Sequence, residues 1–159
     1  MTVREPARSR EQRKQDVLDH LEKDEDAWVS TASADGVPTL VPLSFVWDDG
    51  TLLMATRRTN PTAVNLTPSG QARIALGPTR DVVLIEATAE LVEGTDLPQT
   101  SGDAFAAKLS WDLRGRPSWV YLRFTPYAIR AWREENELAG RELMADGHWL
   151  DGEPHADEQ

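Results

Sequence analysis

Along most of this chain apolar residues alternate with polar ones, and only three short stretches carry them at helical spacing. Val83, Ile85, Ala87, Ala89 and Leu91 fall on one face of a strand spanning Asp81 to Val92, with Glu86, Thr88 and Glu90 on the other. Val37 to Trp47 alternates too: Val37, Thr39, Val41, Leu43, Phe45 and Trp47 share a face, opposite Pro38, Leu40, Pro42, Ser44 and Val46. Shorter strands are predicted over Ala27–Ala32, Thr51–Thr56 and Gln71–Leu76. Within Thr51–Thr56 the run Leu52-Leu53-Met54-Ala55 is apolar at every position, which implies burial on both faces. Ser118–Thr125 and Ala128–Trp132 read as a hairpin about Pro126-Tyr127, with Val120, Leu122 and Phe124 inward.

The helical stretches are bounded by capping residues. Ser9 with Gln12 three residues on opens a helix to about Asp24, striped by Val17, Leu18 and Leu21 and expected across one mouth of the core. Asn60 fits an N-cap and Pro61 the first helical position of a helix through Leu66 that ends at Thr67-Pro68-Ser69-Gly70. Leu97 to Ser110 holds a third helix, with Phe105 and Leu109 as an i, i+4 pair. Arg133 to Ala145 is ambiguous and partly helical in pattern, and Gly147-His148-Trp149-Leu150 reads as a last short strand. Turns fall at Ser33-Ala34-Asp35-Gly36 and Asp48-Asp49-Gly50. The organisation predicted is an N-terminal helix within 1–25, a barrel domain over 26–150 and an acidic, disordered tail over 151–159. Short strands in hairpin succession with small peripheral helices make this an α+β, antiparallel barrel.

Two prolines inside Val37–Trp47 each remove a ladder donor, so strand pairing is expected to break around Pro42. The backbone of Leu43 and Ser44 would then serve something other than a neighbouring strand. Composition narrows what that is. The 159 residues contain no cysteine, which removes disulfides, thiol nucleophiles and thiolate metal sites. His20, His148 and His155 lack the pairing that puts two imidazoles on one helix face, so no protein-built metal site is expected, and all three read as solvated. Asp48-Asp49 and Glu134-Glu135 are read the same way. A net charge of −10 repels nucleic acid and anionic lipid. No apolar run approaches the roughly 18 residues of a membrane span, and MTVREPARSREQRKQ lacks the apolar centre of a signal peptide. A cytoplasmic protein is expected.

Against that acidic background Arg57-Arg58-Thr59-Asn60 stands out. Free amides at a helix start, hydroxyl donors and guanidinium charge together suit an anion, although the same residues also fit a polar loop ending in an ordinary N-cap. A flat ring resting on Pro42–Ser44 with its phosphate tail at this loop would use both features. Trp111, Arg114 and Arg116 lie in a later loop and suit either reach into a partner's site or a surface held by cation–π contact. Trp28, Trp47, Trp119, Trp132 and Trp149 read as core or dimer interface.

From Trp28 to Trp149 the chain resembles the pyridoxamine 5'-phosphate oxidase-like split β-barrel proteins, which include flavin and deazaflavin oxidoreductases. STASADGVPTLVPLSFVW, LLMATRRTNPTAVNL, LGPTRDVVLIEATAELVE, RFTPYAIRAW and GRELMADGHWL carry the resemblance. It implies a homodimer with cofactor sites at the interface, and FMN, or alternatively the deazaflavin coenzyme F-420, as cofactor. It implies the ring on Pro42, Leu43 and Ser44, and the phosphate near Thr56, Arg57, Arg58, Thr59, Asn60, Thr62 and Asn65, with Arg80 and Trp111 as further candidates. Hydride transfer to a small organic substrate is the activity implied, and since that chemistry belongs to the cofactor no catalytic side chain is nominated. The basic residues that grip pyridoxal phosphate in the true oxidase are not recognisable here, so that substrate is not expected. The alternative from another class is a module of the same fold that sequesters flavin or haem without turnover.

Overall fold

The computed structural model describes residues 5–153. Its elements in chain order are α1 (Arg10–Lys23), β1 (Asp26–Ala32), β2 (Pro38–Ser44), β3 (Val46–Asp48), β4 (Thr51–Arg57), α2 (Pro61–Ser69), β5 (Gln71–Leu76), β6 (Val82–Val92), α3 (Gln99–Leu109), β7 (Trp119–Trp132), β8 (Glu142–Ala145) and β9 (His148–Trp149). All strand pairs are antiparallel, in the order β2-β1-β5-β6-β7-β4-β3, with β8 added to β7 and β9 to β8. The fold is α+β, an open antiparallel sheet curled into a split barrel.

What curls it is a single residue. β2 and β3 sit at opposite ends of the strand order, yet only Phe45 separates them in the chain. The two edges must therefore meet at Phe45, which is wholly buried and whose amide donates to Glu25 O at 2.9 Å. This corrects the break expected at Pro42. The β1–β2 register runs through Trp28↔Pro42 to Asp26↔Ser44 without a slip, and the discontinuity comes at Phe45. Proline is tolerated because β2 is an edge: Pro38 and Pro42 share one parity, and Thr39, Val41 and Leu43 carry the ladder to β1. The backbone of Pro42–Ser44 is thus paired on one side and open on the other.

The expected hairpin about Pro126-Tyr127 is one strand, β7. Its register with β6 shifts between Glu86↔Ala128 and Ala87↔Pro126, leaving Tyr127 as the extra residue of a bulge. A proline that would end a regular strand here marks the bulge instead. The ambiguous stretch after Arg133 holds a single 3₁₀ turn, Glu135–Glu137, followed by β8. α2 runs to Ser69, past Pro68, and Gly70 closes it in the left-handed conformation at φ 60°.

β4 explains why its sequence is apolar at every position. Leu52 and Met54 enter the barrel core with Phe45, Ile74, Ile85 and Phe124, while Leu53 and Ala55 face a second cluster of Phe105, Leu113 and Tyr121 beneath α3. α1 sends Val17 and Leu21 into the first core, and its Arg13 Nη1 donates to the carbonyls of Ala131, Glu137 and Gly140 at 3.3, 2.9 and 3.3 Å. Residues 154–159 of the acidic tail lie outside the described residues. Glu153 before them accepts from the Arg10 amide at 3.2 Å, at the start of α1. Among the described residues no helix is long and apolar enough to cross a membrane, and no group of three or more His, Asp or Glu could hold a metal ion.

Candidate functional site

β4 delivers its last residues to the start of α2 through a three-residue loop, Arg58–Asn60. Asn60 N donates to Arg57 O at 3.0 Å, which closes the loop as a turn. The side chain of Asn60 does not cap the helix: its Nδ2 donates instead to the buried Thr56 Oγ1 at 2.9 Å. Pro61 has no N–H, and Val64 N donates to Asn60 O at 3.1 Å. The amides of Thr62 and Ala63 are consequently left without a side-chain cap, the arrangement that favours an anion at a helix start. The exposed Thr59 stands beside them.

The two arginines of the loop part company. Arg58 forms a two-pronged pair with Glu93, at 2.6 and 2.7 Å, and donates to Pro117 O. These hydrogen bonds hold the Glu93 carboxyl below its ordinary range. Arg57 lies opposite Trp119 in the β4–β7 register, with its guanidinium carbon 4.9 Å from the Trp119 ring centroid. Among the described residues no carboxylate lies within salt-bridge reach of it. Trp119 in turn meets Trp111 edge-on at 5.0 Å, and Trp111 meets Phe105 at 5.9 Å. The cation–π contact considered for Trp111, Arg114 and Arg116 is thus found at Arg57 and Trp119. Arg114 is engaged with Asp103 and Asp112.

Trp111 also reaches the other half of the candidate site. With Ser44, Glu25, Lys108, Leu109 and Ser110 it lines a cavity of about 540 Å³ at the end of β2. Ser44 Oγ donates to Asp26 there at 2.6 Å. Lys108 was not singled out in the sequence; its ammonium lies 4.3 Å from the Phe45 ring and donates to Asp24 O at 2.6 Å, and burial lowers its pKa. Arg80 stands apart, on the β5–β6 turn, exposed and paired with Glu134 at 3.2 Å. Asp48 is not the solvated carboxylate expected: it accepts from Ser101 Oγ at 2.6 Å and Arg123 at 3.2 Å. His20 is likewise engaged, between two carboxylates.

A family model described as pyridoxamine 5'-phosphate oxidase matches residues 14–133. The chain belongs to the pyridoxamine 5'-phosphate oxidase-like family. Its fold is shared by a putative pyridoxamine 5'-phosphate oxidase from Listeria innocua, at TM-score 0.62 and 17% identity over 76% of this chain and 98% of that one. General stress protein 26 from Bacillus anthracis matches at TM-score 0.58 and 19% identity, over 77% and 95% of the two chains. A protein named F420 reductase matches at 0.55 and 18%, over 70% and 93%. No curated protein sequence matches significantly.

Within this pyridoxamine 5'-phosphate oxidase-like fold, α2 is held by Asn65, one of its two buried polar residues with Thr62. Asn65 Nδ2 donates to Thr31 Oγ1 at 3.1 Å and to Thr39 Oγ1 at 3.5 Å, tying the helix to the β1–β2 hairpin. Asn65→Ala is expected to lower stability by about 1–2 kcal/mol through loss of those bonds. A urea melt reads this, and an unchanged midpoint would remove the tie from the account.

Proposed function

We propose that the chain is an oxidoreductase of this family that binds FMN, or the deazaflavin coenzyme F-420, and passes hydride to a small organic acceptor. The observation that carries the reading is the β4–α2 junction: an uncapped helix start beside Arg57, a guanidinium without a carboxylate partner among the described residues in a chain of net charge −10. Such a junction fits a phosphate, which takes amide and hydroxyl donors together with a cation. In this reading Thr59, Thr62 and Arg57 hold the phosphate, and Thr56 with Asn60 keeps the loop in shape. The open side of Pro42–Ser44 receives the ring, and Trp111 excludes water from the cavity beside it. When bound, the flavin supplies the hydride chemistry itself. The F420 reductase that shares the fold supports keeping the deazaflavin as the alternative.

The reading includes a homodimer. Trp28 and Leu40 are 51% and 62% exposed on the outer face of β1–β2, next to the exposed Pro38 and Pro42, and Val64 of α2 is 55% exposed. A second copy would cover these apolar side chains and bring its own residues to the ring. The visible spectrum of freshly purified protein tests the proposal. A flavin or deazaflavin band, or uptake of either by colourless protein, is expected. Protein that takes up neither FMN nor F-420 overturns it, and a Soret band would favour a haem-sequestering module.

A further inference from the structure

His20 sits where a neutral imidazole cannot satisfy its surroundings. Its Nδ1 lies 2.9 Å from Asp24 Oδ2 and its Nε2 lies 3.3 Å from Asp81 Oδ2. A neutral ring donates through one nitrogen and would turn the lone pair of the other toward a carboxylate, whereas the imidazolium donates through both. The carboxylates belong to different elements. Asp24 is the C-cap of α1, and Asp81 closes the β5–β6 turn, where its amide donates to Pro78 O at 2.9 Å.

Other charges surround the pair. From the end of β7, Arg133 Nε lies 3.3 Å from Asp81, and from the segment before α1, Arg8 lies 3.9 Å from it. Both guanidinium groups also reach Asp16 of α1, at 3.6 and 2.9 Å. From α3, Lys108 reaches the backbone carbonyl of Asp24. Asp19 and Lys23 of α1 border the shallow cavity beside the ring. Loss of the His20 proton therefore leaves Asp81 its two arginines. Among the described residues, the Asp24 carboxylate has no hydrogen-bond donor besides this ring, so the one N–H that a neutral imidazole keeps stays with Asp24 and the contact to Asp81 is given up.

We propose that His20 is a proton-operated latch: charged, it ties the C-terminal end of α1 to the β5–β6 turn, and on losing its proton it releases that end. The latch steadies one side of the cavity at the end of β2. Asp24 O anchors Lys108, and Glu25 O accepts from Phe45, so the same few residues form one wall of the cavity beside Ser44 and Trp111. Burial opposes charge on the ring, but the hydrogen bonds to Asp24 and Asp81 outweigh it and raise the pKa above the ordinary histidine value. A raised folded-state pKa means the tie is fully present below the unfolded value, near 6.5, and is lost as pH rises through the folded one.

The test follows the ring and the backbone separately in the full chain. An NMR titration of the His20 ring is expected to give a pKa above the ordinary value. Amide exchange, corrected for its intrinsic pH dependence, is expected to lose protection several-fold over residues 18–26 and 76–82 as that titration proceeds. His20→Gln should start at the low protection and stay there. The latch is overturned if His20 titrates at or below the ordinary value, if protection does not follow its titration, or if His20→Gln retains the wild-type pH dependence.

Discussion

Replacing Glu137 by alanine is expected to destabilise the fold by about 3–5 kcal/mol, the range for breaking a buried ion pair from one side. Glu137 is 3% exposed and accepts four hydrogen bonds: from Arg8 N, Nε and Nη2 at 2.8, 3.0 and 2.8 Å, and from Arg133 N at 2.8 Å. Its loss leaves the part-buried Arg8 guanidinium with Asp16 as its close partner and orphans two backbone amides. Glu137→Gln, which keeps an acceptor oxygen but no charge, should lose less. Urea unfolding measures both. A loss below about 1 kcal/mol for Glu137→Ala would mean that water replaces the carboxylate without cost.

The same residue sets an acid limit. Burial pushes the Glu137 carboxyl up, but the hydrogen bonds from Arg8 and from the two amides outweigh it and bring it down to about 2. A depressed folded-state value means the stabilisation is present above the ordinary glutamate value near 4.5 and is lost as pH falls toward about 2. The stability gap between wild type and Glu137→Ala should therefore narrow over that window. His20 works in the opposite direction on the alkaline side, so the two groups hold the α1 region from either end of the pH scale.

Periodicity was enough for the elements whose faces differ. β6 alternates because one of its faces enters the core, and Leu52 to Ala55 are continuous because two clusters share β4. It failed where one residue changes the course of the chain without changing the pattern. Phe45 keeps the alternation of Val37–Trp47 while passing the chain from one sheet edge to the other, and Pro126 looks like a turn while marking a bulge. Long-range charge pairing left no trace at all. Glu137 and Arg8 are 129 residues apart, and nothing near either announces the other. The loop after β4 was legible because its signals are local: a cap residue, a proline and two cations in sequence. Which of those cations is committed elsewhere depended on Glu93 and Trp119, which come near the loop only in the fold.

The two arginines of the junction should therefore differ in their effect on cofactor binding. Arg57→Ala is expected to weaken FMN binding by roughly 10- to 150-fold, or about 1.5–3 kcal/mol, the contribution of a hydrogen bond to a charged group. Arg58→Ala should leave affinity near wild type, because Arg58 is already held by Glu93 and by Pro117 O. Arg57 has only the face of Trp119 as partner among the described residues, and a ring face steadies a guanidinium without using its N–H groups. In the proposed site those donors would meet phosphate oxygens beside the uncapped amides of Thr62 and Ala63. Titration of FMN fluorescence with each variant separates the two arginines. If Arg58→Ala lost affinity and Arg57→Ala did not, phosphate would have to displace Glu93 from Arg58, and Arg57 would not be the residue that holds it.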